Sequence, residues 1–134
     1  MKFIGIFICL HIIKDFDEPV DGVVYGVCVS LGFATLENFY YIFYLEYKDL
    51  SSLIIRSLGA IPMHALTGAI IGMYMIKYFE KYRERFYLGL IFTYLLHSTY
   101  NFLVLSVSDF FALILIVLAC YIFINKFVKF KSYQ

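Results

Sequence analysis

Polar and apolar residues do not alternate along this chain; they come in blocks. Four long apolar blocks, Val20–Tyr44, Leu53–Tyr78, Phe86–Val107 and Phe110–Phe127, are separated by short charged links. A helix needs about 20 apolar residues to cross a bilayer core, and each block meets or approaches that length. The period-two alternation of a membrane β-barrel is missing. In lipid, a helix satisfies its own backbone hydrogen bonds. The pattern therefore predicts an all-α, polytopic transmembrane bundle of four full spans. A fifth stretch, Phe3–Ile13, is too short to span and reads as the C-terminal part of a longer, partial N-terminal helix. Asp17 is placed to cap the first full span, with Pro19 in its first turn. No repeat or low-complexity segment divides the chain, so residues 1–134 read as one transmembrane domain.

Composition strengthens this picture. Of 134 residues, 63% are hydrophobic, and mean hydropathy is +0.83. Too little polar surface is left to cover a water-facing exterior, so membrane lipid is the expected surrounding. The net charge of +1 gives no footprint for nucleic acid. Cys9, Cys28 and Cys120 lie inside apolar runs with no CxxC spacing, and read as buried free thiols.

Charge sets an expected topology. Lys77, Lys81, Arg83 and Arg85 crowd the link between the second and third spans, and Lys126, Lys129 and Lys131 crowd the C-terminal end. The link at 106–109 carries no positive charge. The positive-inside rule then puts the 77–85 link and the C-terminus in the cytoplasm, in a plasma-membrane protein.

Four polar residues stand at membrane depth: Glu37, His64, His97 and Asn101. Ionisable groups in spans usually face the bundle interior and mark function. Each has a structural reading too: a hydrogen-bonded acid, a satisfied imidazole, an amide joining two helices. Taken together they point further. His97 and Asn101 are four apart and share a helix face, as do Phe33 and Glu37. His64, Gly68 and Gly72 share another, a small-residue groove open to a second helix. Counted from the inner ends of their spans at 1.5 Å per residue, Glu37 lies about 25 Å deep, His64 about 20 Å and His97 about 16 Å. An acid and two imidazoles in one slab have the ligand types for a zinc-like ion. They equally suit metal-free general-base chemistry with an oxyanion held by His and Asn.

These residues carry a resemblance. The strings FDEPVDGVVYGVCVSLGFATLENFYY, RSLGAIPMHALTGAIIG and LHSTYNF, in this order, resemble the signature segments of the PrsW-type intramembrane protease family. That family is related to the CAAX prenyl endopeptidase superfamily. The resemblance covers about residues 15–102, with an additional C-terminal span at about 110–127. By position, an FxxxEN motif falls on Phe33, Glu37 and Asn38, a histidine motif on His64, and an HxxxN motif on His97 and Asn101. The resemblance implies hydrolysis of a membrane-anchored protein, such as an anti-sigma factor, near the outer face. It also implies catalytic roles for Glu37, His64, His97 and Asn101, with Glu37, His64 and His97 as the ligands of any metal. One family motif, a glutamate pair in EExxK, is not matched. The chain begins MKFIGIF, and Lys2 resembles the lysine of that motif. The departure suggests an N-terminally truncated copy, a fragment or a misplaced start codon, and with it a chain that binds substrate but hydrolyses it poorly or not at all. Two other classes stay open: a non-catalytic membrane scaffold, and an ion or proton transporter with its polar groups strung across the membrane.

Overall fold

The apolar blocks fold as the pattern demands, each into one helix. A computed structural model describes residues 19–44, 50–79 and 82–132, together with Gly5 and Ile8. Among the described residues four long helices follow in order: α1 (Pro19–Tyr44), α2 (Leu50–Phe79), α3 (Arg83–Ser106) and α4 (Asp109–Ser132). All four are long and apolar enough to cross a membrane. Each extends the expected span by one to five residues at one or both ends, where links continue the helix before breaking it. Pro19 opens α1, where its missing N–H removes no helical bond. Asp17, Cys9, Lys2, Lys81 and most of Phe3–Ile13 lie outside the described residues.

The turn between α3 and α4 shows how short these links are. The Val107 and Ser108 N–H groups both donate to the Leu103 carbonyl, at 3.0 and 2.8 Å, and close α3. Ser108 then caps α4, its hydroxyl oxygen accepting from the Phe110 N–H at 3.2 Å.

The second helix is the central rod. It packs against α1, α3 and α4, and 61% of its spanning residues are buried, against 11–22% in the other three. Ala60, Met63, Leu66 and Ile70 of α2 meet Leu96 and Tyr100 of α3 and Ala112 and Ile116 of α4. The spacing of the α2 set places it on one helical face. A second cluster joins Ile71 and Met75 to Phe86.

The contact between α1 and α2 has no large side chains at its centre. Gly22, Gly26 and Ser30 of α1 lie against Gly68 and Gly72 of α2. A Cβ added at Gly26 would overlap the Gly68 carbonyl, and one at Gly72 would overlap the Gly22 carbonyl. Backbones approach this closely only where side chains are absent, which is how membrane helices gain packing without a hydrophobic drive between them. The expected groove along His64, Gly68 and Gly72 is thus filled by α1.

Two buried threonine hydroxyls are satisfied inside their own helices. Thr67 donates to the Met63 carbonyl at 2.9 Å, and Thr93 to the Gly89 carbonyl at 2.8 Å. Outside the core, large apolar residues such as Leu36, Leu58, Tyr94, Leu105 and Phe110 are more than half exposed, an exterior suited to lipid. The C-terminal part of α1 adds stacked aromatics, Phe39 on Phe43 and Tyr40 on Tyr44, as at a membrane interface. One expectation is corrected here. Cys28 is exposed and Cys120 only half-buried, because a helix in lipid can leave an apolar residue facing outward at no cost.

Candidate active site

The close approach of α1 to α2 has a direct consequence two turns further along. It brings Glu37, on α1, to His64, on α2. The carboxylate Oε2 lies 2.8 Å from His64 Nε2, the length of a charge-assisted hydrogen bond. The His64 side chain is almost fully buried, whereas about a quarter of the Glu37 side chain is exposed. From α3, the His97 ring meets the His64 ring edge-on, with centroids 5.0 Å apart and planes at 76°. Phe33, one turn before Glu37, sets its ring 5.9 Å from the same imidazole. His64 is therefore the hub of a group drawn from three helices.

Its backbone is pinned as well. The Ser30 hydroxyl donates across the helix pair to the His64 carbonyl at 2.6 Å, and the Thr67 hydroxyl donates to the same oxygen at 3.1 Å. Ser30 is small enough for the close approach and polar enough to reach across it. The His64 side chain is fixed at Nε2 by Glu37. Its buried Nδ1 has no hydrogen-bond partner among the described residues. When Nε2 carries the proton and donates to Glu37, Nδ1 is a lone pair, available to water or a cation.

A cavity of about 70 Å³ opens beside this pair. Liquid water occupies about 30 Å³ per molecule, so one or two waters fit. Glu37, Tyr41, His64, Tyr100, Asn101 and Asp109 line it with polar groups, and Ala60, Val104 and Leu105 with apolar ones. Three of the four residues expected from the sequence thus share this cavity. His97 joins them through its contact with His64 rather than as part of the wall. Asn101 lines the cavity from a largely exposed position on α3.

Tyr41, Tyr100, Asp109 and Ser30 belong to the same region and were not among the expected residues. Two of them had a readable signal. Tyr41 is four residues after Glu37, and Tyr100 three after His97, so each shares a helix face with a site residue. Asp109 arrives from α4, which no spacing along the chain could reveal.

The chain has clear relatives. The family model of the PrsW family intramembrane metalloproteases matches residues 1–127. Protease PrsW of Geobacillus kaustophilus is 38% identical over 109 residues, covering 79% of this chain and 47% of that protein. Protease PrsW of Bacillus subtilis is 38% identical over 113 residues, covering 81% and 50%. Protease PrsW of Clostridioides difficile is 37% identical over 99 residues, covering 69% and 41%. The chain spans about half the length of the curated relatives it matches. No solved structure matches it.

Proposed function

The chain belongs to the PrsW family of intramembrane metalloproteases, and on that premise we propose that it hydrolyses a peptide bond of a membrane-anchored protein. The observation that carries this reading is the Glu37–His64 contact at 2.8 Å, with His97 from a third helix against the same imidazole. A transporter relay would string such groups across the membrane; here they meet. The expected substrate is an anti-sigma-factor-like protein cut near the outer face, with the lysine-rich end of α4 in the cytoplasm.

The family description implies a metal ion, and the residues present fit one in kind. A carboxylate and two imidazoles are zinc ligands by chemistry, and the buried Nδ1 of His64 has no hydrogen-bond partner among the described residues. No group of three His, Cys, Asp or Glu among the described residues is already gathered as a metal site. Glu37, His64 and His97 are the side chains that would hold the ion. When bound, it would polarise a carbonyl and lower the pKa of its water.

The side chains have their own parts in the reaction. Glu37, steered by His64 through one oxygen, takes a proton from water in the small cavity. The water attacks the substrate carbonyl. Asn101, with its amide N–H in the cavity wall, stabilises the oxyanion that forms, and His97, packed edge-on against His64, holds that ring in position. The proton then passes to the leaving amine, and the scissile C–N bond breaks. Burial among three helices keeps bulk water away and strengthens each of these contacts.

The test is cleavage of a single-span substrate by the chain reconstituted in lipid vesicles. Asn101→Ala is expected to lower turnover by about 10²–10³-fold, as for loss of one oxyanion donor, and His97→Ala to lower it through the His64 ring it holds. Turnover within a few-fold of wild type in both variants would remove these two residues from the site.

A further inference from the structure

A second cavity adjoins the first. Its volume is about 230 Å³, and it lies between α2, α3 and α4. Tyr100, Val104 and Asp109 line both cavities, so the two share a wall. Beyond that wall the character changes: Leu58, Phe110 and Leu113 make the second cavity apolar. Gly59 is what lets Tyr100 stand there. A Cβ at position 59 would come within 2.6 Å of the Tyr100 hydroxyl.

We propose that this apolar cavity is a side-chain subsite of the protease, taking a Leu- or Phe-sized residue next to the scissile bond; this rests on the proteolytic reading above. Size supports it. An apolar cavity of about 150 Å³ holds a benzene ring, so this one accepts a phenyl or isobutyl group with room to spare. Continuity supports it too, because a carbonyl at Glu37 and His64 has its flanking side chain within reach of the shared wall. The backbone adds an acceptor. Pro62, inside α2, has no N–H to offer the carbonyl one turn back, so Leu58 loses its helical donor at the edge of the subsite. A substrate amide can take that place. Asp109, an exposed carboxylate in the shared wall, disfavours an acidic residue at the same position.

The experiment uses the chain in vesicles with a library of single-span reporters. Residues of the outer juxtamembrane segment are varied among Ala, Leu, Phe and Asp, and the cut bond is mapped by mass spectrometry. Wild type is expected to favour Leu or Phe over Ala at one flank of the bond by about 10–200-fold, the range a hydrophobic pocket supplies. Asp is expected to be rejected there. Leu113→Trp, an exposed position on the α4 wall, fills the subsite and shifts the preference toward Ala. Leu58→Trp does the same from the α2 wall, should the first variant fold poorly. Leu118→Trp, on α4 and away from the cavity, keeps the wild-type profile. Cleavage with a flat profile at both flanks, or a profile unmoved by both filling variants, overturns the subsite and leaves the proteolytic reading standing. Absence of cleavage across the whole library overturns both.

Discussion

Replacing Glu37 with glutamine lowers substrate cleavage by about 10²–10⁴-fold, the contribution of a positioned general base. The fold is expected to survive the change. Glutamine keeps the length of the side chain, and its amide oxygen can still accept from Nε2 of His64, 2.8 Å away in the native contact. What is lost is the ability to take a proton from water. Helix content and the yield of folded protein in detergent therefore stay at wild-type levels while turnover falls. The measurement is initial rate on a membrane-anchored reporter, normalised to folded protein. A rate within a few-fold of wild type would take Glu37 out of the chemistry.

The largest structural effect is expected at Gly68. This glycine faces the Gly26 carbonyl and the Ser30 side chain, and even a single Cβ would collide with both. Overpacking typically costs about 1–3 kcal/mol where side chains can yield. Here the obstacle is backbone, which cannot rotate away. Gly68→Leu is expected to separate α1 from α2, and with them Glu37 from His64. Most of the folded protein and all of the activity should go together. Gly32, on α1 itself, is the contrast. A Cβ there meets nothing within 4 Å, so Gly32→Ala is expected to be neutral or slightly stabilising through helix propensity. Thermal unfolding of both variants in detergent checks the pair. Equal stability for the two would mean that the α1–α2 contact does not hold the fold.

The residue pattern made the helices legible because their signal is local. A block of apolar residues near bilayer length admits few other structures, and all four spans formed where expected. The α1–α2 contact was half legible. Gly68 and Gly72 advertised a groove, but only the structure names Gly22, Gly26 and Ser30 as what fills it. In the site, shared depth was enough to suggest that Glu37, His64 and His97 converge, since helices in a bilayer are nearly parallel rods. Depth is blind to rotation about each rod. That is why His97 could be matched in level yet touch His64 without lining the cavity, and why Tyr100 escaped notice beside its neighbour Asn101. Asp109 needed the full path of the chain, because α4 returns to the cavity through the turn at Ser108. Cys28 misled for the opposite reason: an apolar neighbourhood in a membrane chain does not distinguish protein interior from lipid.

If one pocket built from separate helices does the chemistry, Glu37 and His64 act as a unit. A double-mutant cycle in single-turnover cleavage asks this directly, using Glu37→Gln, His64→Gln and the two combined. The expected result is strong coupling, with the combined variant hardly slower than the worse of the two singles. Losses that simply multiply would show two residues working apart, and would contradict the shared pocket.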